Sequence, residues 1–346
     1  MRYNPLGTTG WNVSKLCLGT MTFGQQNDEA EGHAQLDYAL EHGINFIDTA
    51  ELYSVPARAE TQGSTERIIG SWIAARGGRD RYHLATKIAG PAGFTKHIRQ
   101  PLGFGRPMLE DALGKSLDRL QTDYIDLYQL HWPERRTNYF GVRGVDSVSD
   151  DEWEDNFLQL LHDMQDLIQS GRIRAWGVSN ESPWGLMRLL YLADAHGLPR
   201  PVTVQNPYAL LNRSYEVGLA EISLRENVPL IPYSPLGMGQ LTGKYIRGED
   251  KPENRLNQFP NYKRYSQDNA VAATRAYAEV AQRHGLSLTA LSLAFVNDRD
   301  FVASTIIGAT DLEQLAENLA SIDVRLDDGI IEELDEVRER FVDPSV

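Results

Sequence analysis

One cysteine, Cys17, stands in a chain of 346 residues. That scarcity excludes an intramolecular disulfide and any multi-cysteine metal site. No apolar run approaches the ~18 residues of a membrane-spanning helix. The opening residues M-R-Y-N-P-L-G-T-T-G break at Pro5, Gly7 and Gly10, where a signal peptide would carry its apolar stretch, so a cytoplasmic location is expected. Positive charge is also short: 34 Lys and Arg stand against 48 Asp and Glu, a formal net charge of −14. A surface that negative repels phosphate backbones and anionic lipid, so neither nucleic acid nor membrane is expected as the main partner. Apart from His131, the histidines (His33, His42, His83, His97, His162, His196 and His284) show no H-x-x-x-H or comparable ligand spacing, and no metal is expected. The apolar fraction of 41% with 29 glycines is that of a soluble globular chain with a large core.

Short β-branched or aromatic runs alternate with amphipathic stretches throughout. The runs predict strands at 16–21, 44–48, 82–87, 124–130, 173–178, 202–205, 229–233 and 302–307. Several are almost continuously apolar, as strands buried on both faces are. Helices between them carry start and stop signals. Pro107 opens one with Leu109, Leu113, Leu117 and Leu120 at helical spacing, and Pro183 opens another that stops at Gly197. Thr310 and Glu313 form a capping box for a third. Eight strand-then-helix units predict a (β/α)8 TIM barrel; a doubly wound open sheet is the competing topology. Segments entering strands are short, whereas those leaving them (49–63, 88–106, 132–155 and 235–266) are long and rich in Gly, Pro and Asn. A barrel builds its active site from loops at the C-terminal ends of its strands. Residues 1–15, turning at Gly7 and Gly10, read as a hairpin closing the other end. No linker interrupts the pattern, so one domain spanning 1–346 is expected.

Four titratable residues fall at successive strand ends. Asp48 ends the second, Tyr53 follows five residues later, Lys87 ends the third and His131 ends the fourth. A single such residue is usually packing, a cap or solvated surface; four meeting at one rim make a coherent chemistry. Reducing a carbonyl requires a proton donor at oxygen, and a phenol serves if its pKa falls from about 10. A neighbouring ammonium favours phenolate, a carboxylate keeps the ammonium charged, and a histidine N–H can bond the carbonyl oxygen. Farther along, Gly237, Gly239 and Gly243 let backbone approach phosphate closely, though not at Rossmann spacing. The segment 244–264 holds Lys244, Arg247, Lys251, Arg255, Lys263 and Arg264 against three acidic residues, a locally positive loop in a negative protein.

The runs I-D-T-A-E-L-Y (47–53), A-T-K (85–87) and D-L-Y-Q-L-H-W-P (126–133) resemble the aldo-keto reductase superfamily. So do G-V-S-N (177–180), Y-S-P-L (233–236) and I-G-A-T-D-L-E-Q-L-A-E-N (307–318). The match runs from about residue 15 to 322, and L-L-N-R-S-Y-E-V-G-L-A-E (210–221) is most similar to the bacterial Tas-type members. The resemblance implies an NADP(H)-dependent oxidoreductase that reduces aldehyde or ketone carbonyls by hydride transfer from nicotinamide C4. It implies Tyr53 as general acid, Lys87 and Asp48 as its tuning pair, and His131 as the residue that orients the carbonyl. Ser179, Asn180 and Gln205 match positions that bond the carboxamide, and Tyr233 the aromatic on the nicotinamide ring. Ser234, Pro235, Leu236, Gly237, Met238, Gly239, Gln240, Leu241, Thr242, Gly243 and Lys244 match the loop over the pyrophosphate. Thr310, Gln314, Glu317 and Asn318 match the adenosine end.

Two departures accompany the match. Ser54, Val55 and Pro56 follow the tyrosine where many relatives carry Gly, which should reshape the substrate pocket. Gly308 and Gln314 stand where well-studied reductases carry Lys and Arg for the 2′-phosphate, so NADPH is the favoured cofactor with NADH as the alternative. Which basic residue, Arg264 among them, meets that phosphate stays open. Trp132, Trp153, Tyr139 and Phe140 either line a pocket or pack in the core. Two rival functions stand beside the reductase: a slow or non-catalytic NADPH sensor, and a Schiff-base aldolase with Lys87 as nucleophile. The sequence is silent on oligomeric state.

Overall fold

In the computed structural model, which describes residues 1–142, 144–249, 251–259 and 263–345, the alternating pattern folds into a parallel barrel. Strands β1 (Tyr3–Pro5) and β2 (Asn12–Ser14) pair antiparallel at the start of the chain. Strands β3 (Leu16–Gly19), β4 (Phe46–Asp48), β5 (His83–Ile88), β6 (Ile125–Leu130), β7 (Ile173–Ser179), β8 (Val204–Gln205) and β9 (Thr305–Ile307) then form one parallel sheet, in the order β8-β7-β6-β5-β4-β3-β9. Helices α1 (Glu29–Glu41), α2 (Ser64–Arg76), α3 (Arg106–Leu120), α4 (Phe157–Gln169), α5 (Pro183–His196) and α6 (Leu219–Glu226) supply the first crossovers. After β8 come α7 (Arg255–Gln258), α8 (Asp268–Arg283) and α9 (Leu288–Asn297), and β9 is followed by α10 (Leu312–Ala320) and α11 (Asp328–Arg340).

The strand expected at 229–233 is present as a stave without a regular ladder. Pro229 and Pro232 have no N–H to contribute, so only isolated pairings survive. Leu230 bridges Val204 on one side and Val302 on the other, and Tyr233 bridges Pro207. The Ile231 N–H donates to the Val204 carbonyl at 2.8 Å and the Ile306 N–H to that of Pro232 at 2.9 Å. This stave joins the two edges of the sheet and completes the (β/α)8 barrel.

The helices follow their local signals with one correction. Pro107 lies in the first turn of α3, and α5 starts at Pro183 beneath a Ser182 cap and ends at Gly197, whose φ is 64°. Along α4, Phe157, Leu160, Leu161, Met164 and Leu167 bury one stripe against the core. The α10 cap is Asp311, one residue beyond the expected Thr310. Its carboxylate accepts the Gln314 N–H at 2.8 Å, while the Gln314 amide reaches back to the Thr310 hydroxyl at 2.9 Å. A carboxylate caps at least as well as a hydroxyl and also meets the positive end of the helix dipole.

The hairpin closes the N-terminal end of the barrel. Leu6 and Val13 are fully buried in one cluster with Cys17, Phe46, Ala85, Leu127, Ala175 and Ile231. The Ser14 N–H donates to the Asn45 side chain at 2.7 Å, and the Lys15 ammonium to the Val302 carbonyl at 2.6 Å. Among the described residues no helix is long and apolar enough to cross a membrane.

Toward that closed end, the buried Asp126 carboxylate accepts from Arg79 at 2.6 Å, the Leu84 N–H at 3.0 Å and Arg174 at 3.1 Å. Burial alone would raise its pKa, but His83, Arg79 and the Leu84 N–H outweigh it and hold the carboxyl below its ordinary value. Asp126→Ala should therefore cost about 3 kcal/mol of stability near neutral pH, through the charges it strands. A carboxyl with a depressed folded pKa contributes its stability above the unfolded value of about 4 and loses it as pH falls through the lower folded value. Urea melts of the two proteins should thus differ most near neutrality and converge in acid.

Candidate active site

Because the strands are parallel, β4, β5 and β6 deliver their C-terminal ends to the same rim. Asp48 is the last residue of β4, Lys87 the penultimate residue of β5, and His131 follows β6 directly. The Lys87 ammonium donates to Asp48 Oδ2 at 2.6 Å and to the Thr49 carbonyl at 2.8 Å. It also lies 5.0 Å from the centre of the Tyr53 ring, close enough for that phenol to help raise its pKa. The Tyr53 and His131 rings meet edge to face, with centres 5.6 Å apart. Structure thus brings all four expected residues together.

Both charges are removed from water: Lys87 is 0% exposed and Asp48 2%. Burial pulls the Lys87 pKa down, but the Asp48 carboxylate and Tyr53 outweigh it, and the ammonium ends above its ordinary value. His131 is driven the other way. Burial, then the Lys87 charge, hold its pKa well below 6.5, so it is a neutral imidazole.

A cleft of about 1360 Å³ opens over this cluster and runs toward the N-terminal end of α10. Asp48, Tyr53 and His131 line it, and Lys87 lies buried beneath. Most of the other expected positions line it too: Ser179, Asn180, Gln205, Tyr233, Ser234, Pro235, Leu236, Met238, Gly239, Thr242, Gly243, Lys244, Arg264, Gly308, Thr310, Gln314, Glu317 and Asn318. Three do not. Gly237, Gln240 and Leu241 are buried away from it, because the turn at 237–242 faces them into the protein and leaves Met238, Gly239 and Thr242 toward the cleft. Gly239 sits at the lip with φ 92°, and a Cβ there would come within 3.3 Å of Lys244 Cε. Gly308 faces open space.

Several polar groups at the rim are already spoken for. The Gln205 amide donates to Asp48 Oδ1 at 2.8 Å, and the Ser179 hydroxyl to the Gln205 carbonyl at 2.7 Å. The Asn180 amide donates to the His131 carbonyl at 2.8 Å and accepts the Tyr233 hydroxyl at 2.7 Å. Asn180 and Ser234 hold left-handed backbone, with φ of 54° and 55°.

Residues outside the sequence-based set complete the site. Gln129 donates to Asp48 Oδ1 at 3.3 Å, and its position two residues before His131, on the inward face of β6, was the available signal. Gly19, Thr20, Met21 and Thr22 line the cleft after β3. Glu51, 1% exposed, accepts the Ala89 N–H and Arg99 Nη1, each at 2.7 Å. This clamp fixes the Tyr53 loop against the one after β5. Of the aromatic candidates, Trp132 and Phe140 line the cleft. Trp153 instead packs on Phe157 and Trp184 around Arg135, which is paired with Glu181.

A parallel barrel with tyrosine, lysine, aspartate and histidine gathered at one end of a long rim cleft is the architecture of a carbonyl-reducing oxidoreductase. The chain belongs to the aldo/keto reductase family, whose profile matches residues 15–339. Members of this family work with nicotinamide cofactors in general.

The similarity extends to full-length relatives. Protein tas of Escherichia coli (strain K12) is 47% identical over 100% of both chains. The uncharacterized oxidoreductase YrpG of Bacillus subtilis (strain 168) is 31% identical, over 97% of this chain and 96% of its own. Norsolorinic acid reductase stcV of Emericella nidulans is also 31% identical, over 94% of this chain and 79% of its own.

Two outcomes follow from the buried charges. In a pH titration followed by NMR, the His131 ring should keep neutral-imidazole shifts through the range where an ordinary histidine, near 6.5, gains its proton. Lys87→Met should cost about 3–5 kcal/mol in denaturant melts at neutral pH, since it leaves Asp48 charged and unpaired. The raised Lys87 pKa means that this contribution is complete below the unfolded value, and is lost only as pH climbs through the higher folded one.

Proposed function

We propose that the chain is an NADP(H)-dependent reductase of aldehyde and ketone carbonyls, a single domain with Tyr53 as its proton donor. The observation that carries this reading is the Tyr53 ring set 5.0 Å from a buried ammonium that Asp48 holds charged at 2.6 Å. The donor chemistry of the cleft suits a dinucleotide. Lys244, Arg255 and Arg264 line it in a protein of net charge −14, and α10 begins at its far end.

When bound, reduced nicotinamide supplies from C4 the hydride that the carbonyl carbon takes up. Ser179, Asn180 and Gln205 would hold its carboxamide and Tyr233 its ring. Ser234, Pro235, Leu236, Met238, Gly239, Thr242, Gly243 and Lys244 would face the phosphates, and Thr310, Gln314, Glu317 and Asn318 the adenosine. The cations Lys244, Arg255 and Arg264 favour the additional phosphate of NADPH over NADH.

As the carbon is reduced, the π-electron pair moves onto the carbonyl oxygen, which takes the Tyr53 proton. The phenolate left behind faces Lys87, whose positive charge stabilises it. Neutral His131 has one N–H to offer and can steer the carbonyl oxygen without protonating it. The Glu51–Arg99 clamp keeps the phenol from swinging away during the step.

Tyr53→Phe should lower carbonyl reduction by about 10²–10⁴-fold while leaving NADPH affinity unchanged, because the ring remains and only the proton goes. Fluorescence titration with NADPH and NADH, followed by addition of an aromatic aldehyde, reads both quantities. Saturable binding with no oxidation by the unaltered protein would favour a cofactor sensor, and no binding of either nucleotide would sink the reductase reading.

A further inference from the structure

Two acceptors hold the side-chain amide of Gln205. Asp48 Oδ1 takes one of its N–H groups at 2.8 Å, and the side-chain oxygen of Gln129 takes the other at 3.2 Å. Gln129 turns its own amide nitrogen to the same Asp48 oxygen, at 3.3 Å. An ionised carboxylate only accepts hydrogen bonds, so both glutamines have to present nitrogen to it. With Asp48 in place, neither amide can flip.

Backbone placement makes this contact possible. Gln129 stands on β6 and Gln205 on β8, with β7 between them. The β7 residue level with Gln129 is Gly177, two places beyond Ala175, which belongs to the interior cluster. Alternation along a strand turns position 177 inward as well, and glycine there leaves the gap across β7 open for the two amides to meet. A Cβ at 177 would come within 2.4 Å of Thr203 Oγ1.

Both N–H groups of Gln205 are thus spent inside the protein, and its oxygen is what it has left to offer the cleft that it lines. Asn180 has spent its own pair on the His131 carbonyl and the Ser179 hydroxyl, so it too can only accept. We infer that Gln129 is a positioning residue. By holding one Gln205 N–H it keeps the Gln205 oxygen outward, and the cleft then selects a pyridine ring that bears a primary amide over one that bears a ketone. This rests on the reductase reading, which gives Gln205 to the carboxamide, and adds a buried residue that does not line the cleft.

Affinities for NADP+ and for its acetylpyridine analogue, in which a methyl ketone replaces the amide, read the selection. The phosphates are the same in both, so their titration cancels in the ratio. That ratio should be about tenfold in the unaltered protein and about twofold in Gln129→Met, where the freed Gln205 N–H turns to the cleft and serves the ketone oxygen. Gln129→Glu gives a readout that mere space-filling would not move. Its protonated carboxyl can donate to Asp48 and accept from Gln205, whereas its ionised form lies against a second carboxylate. The ratio for Gln129→Glu should therefore match the unaltered protein in acid and fall as pH rises, while that of the unaltered protein stays level. In the nucleotide-free protein, NMR should find both Gln205 side-chain protons protected from exchange, with one of them released by Gln129→Met.

Tight binding with the same ratio in the unaltered protein and Gln129→Met, or a Gln129→Glu ratio that is flat with pH, would overturn the inference and leave the reductase reading standing. The expected exchange pattern with neither nucleotide bound would uphold the hold of Gln129 on Gln205 and sink the reductase reading together with the selection built on it.

Discussion

The contact between Lys87 and Asp48 is the constraint around which the upper half of the barrel is arranged. Two opposite charges sealed from water are tolerated only when each finds every partner it needs. Asp48 receives Lys87 on one oxygen and the amides of Gln205 and Gln129 on the other, while Lys87 also reaches the Thr49 carbonyl. These contacts draw together β4, β5, β6 and β8. The same ammonium adds to the burial that keeps His131 neutral, and lies 5.0 Å from the centre of the Tyr53 ring. Fold and chemistry therefore share one set of atoms, and a change at Lys87 reaches both.

Above that pair the site is held by longer-range clamps. Arg99 pins the Tyr53 loop through Glu51, and Arg135 joins Glu181 beneath three aromatic rings, Trp153, Phe157 and Trp184. Both arginines sit in segments without regular structure. Backbone ladders cannot order such loops, and buried guanidinium–carboxylate pairs with planar, bidentate geometry do so instead.

Much of this could be read from the amino-acid order because strands alternate with period two. Inward-facing apolar residues close the barrel below, and the residue two places on enters the site: Phe46 precedes Asp48, Ala85 precedes Lys87, and Leu127 precedes Gln129 and His131. Ile231 leads in the same way to Tyr233. Strand ends therefore disclose the cluster of Asp48, Tyr53, Lys87 and His131, whereas Gln129, an amide among titratable groups, stands out less. The clamps were hidden for a different reason. Glu51 and Arg99 lie 48 residues apart and Arg135 and Glu181 46, and no local periodicity relates them. Gly237, Gln240 and Leu241 turn inward because their turn follows tertiary packing, which no local sequence pattern discloses.

The proline-bearing stave at 229–233 gives the barrel a seam. Its neighbours β8 and β9 are joined through it by a few isolated bonds, while β5, β6 and β7 share continuous ladders. Prolines also fix φ, so the chain enters Ser234 with little conformational freedom left to surrender. The loop at 234–243 thus hangs from the part of the cylinder with the fewest ladder bonds. The seam lies beneath that loop as an expansion joint lies beneath a span, while the staves that carry the ion pair, β4 and β5, are joined to each other by ladder pairs.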